Sequence, residues 1–374
     1  MGTHPSNPSK ALGMGQTLQQ LVTANEALLG SAVAARYNHT LPFLFKVLSI
    51  NKALSIQAHP DKALAERLHA ADPQSYPDAN HKPEMTIAIT PFDGFCGFRP
   101  IAQIRSFVAH TPALRALVGE PTATAFIAAV DATADEAAHK AALKALFAGI
   151  MRAPAPAVAA QTAALVAAAE ADPAGFAGRE HGGPVLAALV RRLHADFPGD
   201  IGLFCALVLN YITLQPGEAV FLRANDPHAY LSGDVIECMA ASDNVVRAGL
   251  TPKFKDVDNL VEMLTYSCAP IEAQKMAPER WAKAAGNGSS VIYNPPIEEF
   301  AVVRTTLGAG ADETFHGVEG PSVVICTSGG GSIGVGPKQL DVKTGFVFFV
   351  GATAEVVVKA GQEGIELFRA FCEL

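Results

Sequence analysis

The sequence predicts a mainly β chain built as two β-barrels, the first interrupted by a helical insertion. Three observations predict it. From about residue 40 to 100, short apolar runs follow a period of two. From 101 to 198 the apolar residues recur at helical spacing. From about 201 onward, short strand-like runs return, bounded by Gly, Pro, Asn and Asp. The expected boundaries are 1–100 with 199–270 for a discontinuous first barrel, 101–198 for the insertion, and 271–374 for the second barrel.

Taken in order, "FKVLSI" and "ALSIQA" read as strands joined by Asn51-Lys52, and "EMTIAIT" alternates cleanly. In the insertion, Leu143, Leu146, Phe147, Ile150 and Met151 form one helical stripe, with Thr133 and Glu136 placed as a capping box. "APAPAVAAQ" reads as a linker. A second stripe follows through Leu186, Leu189, Val190 and Leu193, and Pro198-Gly199 ends it. After about 290, "FAVVRTTLGAG", "SVVICTSGGGSIGV", "GFVFFVG", "AEVVVKAG" and "IELFRAF" are closely spaced strands with Gly-rich turns. The Gly-Gly-Gly at 329–331 lies between strands and opens no helix, so it reads as a turn and not a phosphate loop.

Composition narrows the function. With 49% hydrophobic and 17% charged residues, the 374-residue chain is expected to fold around a large core. The net charge of -8, without a basic run, argues against nucleic acid or an anionic membrane as partner. No apolar run reaches the length of a membrane span. Cys96, Cys205, Cys238, Cys268, Cys326 and Cys372 are scattered without CxxC spacing, which suits reduced thiols of an intracellular protein.

The stretch "LSIQAHPDK" carries the chemistry. Strand residues alternate faces, so Ser55, Gln57 and His59 share one. A two-residue hairpin at Asn51-Lys52 would set Lys46 opposite Gln57. One histidine on a strand is ordinarily a satisfied polar residue. Here Glu84 opens a later strand and His228 of "NDPHAYL" opens another, giving two imidazoles, a carboxylate and an amide, a donor set suited to Zn²⁺. Asp243, Arg247 and Lys253 form a second polar cluster, read either as a solvated loop or as an anion site. His69, His110, His139, His181 and His194 have no partner in the pattern, and His81 adjoins Lys82 and Glu84.

"LPFLFKVLSINKALSIQAHPDK", "HKPEMTIAITPFDGFCGFRP", "PGEAVFLRANDPHAYLSGDVIECMAASDNVVRAGLTPKFKDV" and "MGTHPSNPSK" closely resemble the type I phosphomannose isomerase family, across nearly the whole chain. The resemblance implies two cupin-like (jelly-roll) barrels with an inserted helical domain. It implies a zinc-dependent isomerase that interconverts mannose 6-phosphate and fructose 6-phosphate through an enediol. One zinc per chain is expected on Gln57, His59, Glu84 and His228. Arg247, Lys82 and Asp243 are expected in catalysis, with Ser55, Lys46 and Lys253 lining the substrate pocket. A cytoplasmic enzyme with a sugar-phosphate substrate is implied. Against it stand a metal-dependent cupin oxygenase, disfavoured by the Gln ligand, and a sugar-phosphate-binding cupin of impaired activity. "MGTHPS" is similar to an internal family segment, so an early barrel strand and aromatic pocket residues are expected to be lacking. A monomer is expected, with lower stability, weak activity and a tendency to associate through the open barrel.

Overall fold

Two nine-stranded antiparallel sheets, the first carrying a block of helices, make up the computed structural model, which describes all 374 residues. The chain enters through α1 (Leu18–Ala24) and α2 (Ser31–Arg36). The first sheet starts with β1 (Phe43–Ile50) and β2 (Ile56–Ala58); α3 (Lys62–Ala71) then leads to β3 (Glu84–Ala88) and β4 (Phe92–Phe98). The helical block follows: α4 (Ile101–His110), α5 (Pro112–Val118), α6 (Glu120–Ala132), α7 (Glu136–Met151), α8 (Ala155–Ala171) and α9 (Pro184–Asp196). One turn of helix, α10 (Gly202–Cys205), returns the chain to the sheet. There it forms β5 (Leu209–Leu214), β6 (Ala219–Leu222), β7 (His228–Ala240) and β8 (Val246–Gly249), then α11 (Val257–Met263) and β9 (Lys275–Met276).

The sheet curls because one strand serves two sets of neighbours. The first part of β7 pairs with β2 and β4, and the remainder pairs with β1 and β3. The change falls at Gly233, whose φ of 106° is open to glycine alone. A Cβ there would meet Pro91 O at 2.7 Å and Phe92 Cα at 2.8 Å, so the corner also needs the missing side chain. On the outer edge of β1, Phe45 exchanges two backbone bonds with Met1, of 2.7 and 3.0 Å.

Nine strands, β10–β18, form the second sheet, in which β13 (Ala301–Leu307), β15 (Ser322–Val335) and β18 (Val356–Phe371) pair side by side. The two sheets and the opening helices share a core of 22 buried residues, among them Val22, Phe43, Met85, Ile236, Val302 and Phe368. A larger core of 48 buried residues joins the helical block to the first sheet. No single helix is long and apolar enough to cross a membrane. All six cysteines are free thiols, five of them buried.

Four sequence expectations are corrected. The 51–52 hairpin does not form: β1 pairs with β7, and β2 lies between β7 and β8. A tight two-residue turn of the favoured kind needs positive φ at its central residues, and neither Asn51 nor Lys52 has it. The cap of α7 is Asp135, whose carboxylate accepts from Ala138 N at 2.9 Å, and not Thr133. "APAPAVAAQ" is largely the first turns of α8, because proline is tolerated where a helix begins and its N–H has no partner. Finally, Gly329–Gly331 is no turn but the bulged middle of β15, where the register against β18 shifts.

Candidate metal centre and the cavity around it

Gln57 is the middle residue of β2, and its cross-strand neighbours are His228 on β7 and Arg247 on β8. Three of the expected residues therefore stand in one row across the sheet. His59 follows β2 directly, before Pro60. Glu84 is the first residue of β3 and His228 the first of β7, so both occupy strand ends at the same rim. His59, Glu84 and His228 are 1–2% exposed, and their nearest donor atoms all lie within 4.8 Å of one another.

The contacts within this cluster leave valence open. Glu84 Oε1 is 3.4 Å from His59 Nε2, and Oε2 is 3.1 Å from His228 Nε2. The second contact is misaligned, so the buried His228 Nε2 has no hydrogen-bond partner. Gln57 Nε2 lies 3.5 Å from His59 Nε2. Turning the amide about its last torsion brings its oxygen to the same place. An orphaned imidazole nitrogen, a second imidazole, a buried carboxylate and an amide aimed at one point are a donor set that fits a metal ion such as zinc.

The surroundings prepare these groups as ligands. The Nδ1 of His59 makes a 2.6 Å bond with the carbonyl of Asn244, which leaves Nε2 facing Glu84. Asn244 is itself fixed, since its amide donates to the carbonyls of Asp78 and Asn80 at 2.7 and 2.9 Å. Burial lowers the His59 pKa to about 4, with Lys82 and His228 adding to the effect, so the ring is neutral at pH 7. Burial alone would raise Glu84. The His59 imidazole, the Lys82 charge and the His228 imidazole beside it outweigh burial and hold the carboxyl well below its ordinary range.

Gln57, Glu84 and His228 of this cluster face a cavity of about 460 Å³. Four cations line it: Lys46, Lys82, Arg247 and Lys253. Lys82 Nζ is 3.3 Å from Glu84 Oε1. Ser55 also lines the cavity, and its hydroxyl donates to Gln57 Oε1 at 3.3 Å. Lys46 reaches the cavity from β1, opposite Glu237 and not opposite Gln57. Its Nζ is 2.7 Å from Glu237. Burial would lower the Lys46 pKa, but the Glu237 charge and hydrogen bond raise it, so the ammonium is retained. Of the expected site residues, two are absent from the lining: His59, which is buried behind Glu84 and His228, and Asp243. Asp243 is half-exposed and pairs with His4 Nε2 at 3.1 Å.

Sequence reading missed Glu237, Tyr230 and Phe197, all of which line the cavity. Glu237 carries a usable signal, a lone carboxylate inside the apolar run "VIECMA", which is costly to bury unless paired. The Tyr230 hydroxyl bonds to Thr86, a contact between strands distant in sequence. His81, uncertain from sequence, pairs with Glu299 of the C-terminal half.

A curled antiparallel sheet, a buried cluster at its rim that could hold a metal ion and a cation-lined cavity define the class: a half-barrel protein with a candidate metal centre beside a cavity suited to an anion. Comparison with known proteins narrows that class. Family models described as phosphomannose isomerase type I match as follows: the catalytic domain over residues 1–101, the helical insertion domain over 117–209 and the C-terminal region over 290–338. The mannose-6-phosphate isomerase of Aspergillus fumigatus is 53% identical over 100% of this chain and 87% of its own length. That of Saccharomyces cerevisiae is 48% identical over 100% and 88%. Among solved structures, a point mutant of phosphomannose isomerase from Salmonella typhimurium superposes with a TM-score of 0.85 at 30% identity, covering 100% of this chain and 90% of that one. A zinc-bound mannose 6-phosphate isomerase gives 0.84 at 30% identity and the same coverage. The chain belongs to the type I phosphomannose isomerase family.

Proposed function

We propose that this chain is a zinc-dependent aldose–ketose isomerase that interconverts mannose 6-phosphate and fructose 6-phosphate through an enediol. One zinc would be held by Gln57, His59, Glu84 and His228. The observation that carries this reading is the buried cluster of two imidazoles and a carboxylate, which opens through Glu84 and His228 onto a cavity walled by four cations. The names of the relatives and the zinc of the solved neighbour support it. On this reading the chain acts in cytoplasmic carbohydrate metabolism, ahead of GDP-mannose.

Zinc held there would supply a Lewis-acid charge for the sugar oxygens at C1 and C2. Arg247, next to Gln57 across the β2–β8 ladder, adds a fixed positive charge for the enediolate that develops. Lys253 and Ser55, in the same lining, receive the phosphate and the hydroxyls. The proton moved between C1 and C2 needs a carrier inside the cavity. Glu84 is held ionised against two imidazoles, Lys46 is held protonated by Glu237, and Asp243 lies outside the lining. Lys82 remains: the carboxylate it pairs with, Glu84 at 3.3 Å, would be given over to the metal, whereas Glu237 stays on Lys46, and Lys82 is assigned the proton transfer.

The test is elemental analysis together with a coupled isomerase assay. About one zinc per chain is expected, with activity abolished by a chelator and restored by zinc. A double variant, His59→Ala with His228→Ala, should lose the metal. Full metal loading in that variant, or no isomerisation by the zinc-loaded parent, would overturn the reading.

A further inference from the structure

The cavity wall formed by Leu250, Thr251, Pro252 and Lys253 has no strand to hold it, because β8 ends at Gly249. Its restraint comes from the far end of the helical insertion. Asp200 follows α9, and its Oδ1 accepts from Gly202 N at 2.7 Å and Leu250 N at 2.6 Å. Its Oδ2 lies 3.3 Å from Thr251 N, which donates to it. One carboxylate thus ties three backbone N–H groups from two segments that are about 50 residues apart.

Two independent features mark this junction. First, the backbones touch: a Cβ on Gly249 would stand 2.7 Å from Gly202 Cα, and a Cβ on Gly202 would stand 2.8 Å from Leu250 N. Both positions therefore need glycine. Second, Leu250 is held at a φ of 53°, a left-handed conformation unfavourable to a branched side chain, and it is 1% exposed. A turn in such a conformation persists only where its surroundings fix it, and the Asp200 carboxylate is what bonds its N–H groups.

We propose that Asp200 is a positioning residue for the substrate cavity. Its carboxylate clamps the Gly249–Thr251 turn and so sets where Lys253, after the turn, stands toward an anionic substrate, while Arg247 is held by the β2–β8 ladder. The helical insertion is then part of the substrate site without touching the substrate, through Asp200 and through Phe197, which lines the cavity three residues earlier. This role rests on the isomerase reading above, and its test has a readout that does not.

The experiment uses zinc-loaded parent, Asp200→Ala and Asp200→Asn proteins. Asn keeps one carbonyl for the Gly202 and Leu250 N–H groups and loses only the Thr251 acceptor. With mannose 6-phosphate, KM is expected to rise roughly tenfold in the Ala variant and about threefold in the Asn variant, the scale of one or two lost hydrogen bonds. The kcat should stay within about threefold and zinc content should be unchanged. Amide hydrogen exchange should quicken across residues 246–253 in both variants and remain at parental rates in α7 and α8. A KM and an exchange pattern equal to the parent's in the Ala variant would overturn the role. If the Ala variant does not fold, the Asn variant decides, and parental values in it overturn the role equally. A zinc-loaded parent without isomerase activity would sink the isomerase reading alone, since exchange still reports the clamp.

Discussion

Arg247 and Lys46 show how a side chain's role depends on what lies beside it. Both are cations in one cavity, but Lys46 is neutralised by Glu237 at 2.7 Å, whereas Arg247 makes no ion pair within the protein. The unpaired charge is the one available to a developing anion. Arg247→Ala is therefore expected to lower kcat by roughly 100- to 1000-fold with zinc content unchanged, the scale for losing one preorganised charge. Steady-state kinetics beside elemental analysis check this, and loss of zinc along with activity would make the residue structural. At this scale the sequence was informative wherever a residue sits in a distinctive string: "QAHP", "KPE" and "PHAY" carry Gln57, His59, Glu84 and His228. It was silent on the Asn244 carbonyl and on the partner of Glu237. A backbone oxygen has no residue type to recognise, and Glu237 matters only because β1 lies against β7.

Elements divide in the same way between local and distant causes. The stripes of α7 and α9 were legible because 3.6-residue periodicity is local, and their apolar residues are buried as expected. The pairing of β1 was not legible. A strand's partner is chosen by the whole sheet, and a short apolar–turn–apolar run suggests a hairpin whether or not one forms. The cap of α11 offers a test at this scale. Asp256 accepts from Asn259 N at 3.1 Å, from Asn259 Nδ2 at 2.7 Å and from the buried Tyr76 hydroxyl at 2.7 Å. Asp256→Ala should cost about 1–2 kcal/mol of stability, the range for losing an N-cap carboxylate. Burial pushes the Asp256 pKa up, but the Tyr76 and Asn259 hydrogen bonds outweigh it and hold it below 3.8. A depressed carboxyl stabilises the fold above its unfolded pKa, and that contribution is lost as pH falls through the folded value. Urea midpoints of parent and variant should therefore be separated at pH 7 and converge below about pH 4. Curves that stay parallel into acid would show that the charge of Asp256 is not what stabilises the cap.

At the scale of the molecule, the shared core decides how the parts hold together. Phe368 of β18 is 1% exposed within the cluster that also contains Phe43, Met85 and Ile236 of the first sheet. Neither sheet can lose that face without exposing the other's. Phe368→Ala should cost about 3–5 kcal/mol and shift one cooperative transition that includes the metal-bearing sheet. Calorimetry showing an unmoved transition for the first sheet beside a lowered one for the second would refute the coupling. The row of Arg247, Gln57 and His228 has a further consequence. Neighbouring strands are spaced by backbone hydrogen bonds at about 4.8 Å. The distance from ligand to amide to cation is thus measured out in strand widths, and no side-chain adjustment rescales it. The sheet acts as a ruler with coarse divisions. A compound whose paired oxygens match that interval is met by ligand and cation without any loop having to move, and one with oxygens spaced otherwise falls between the marks.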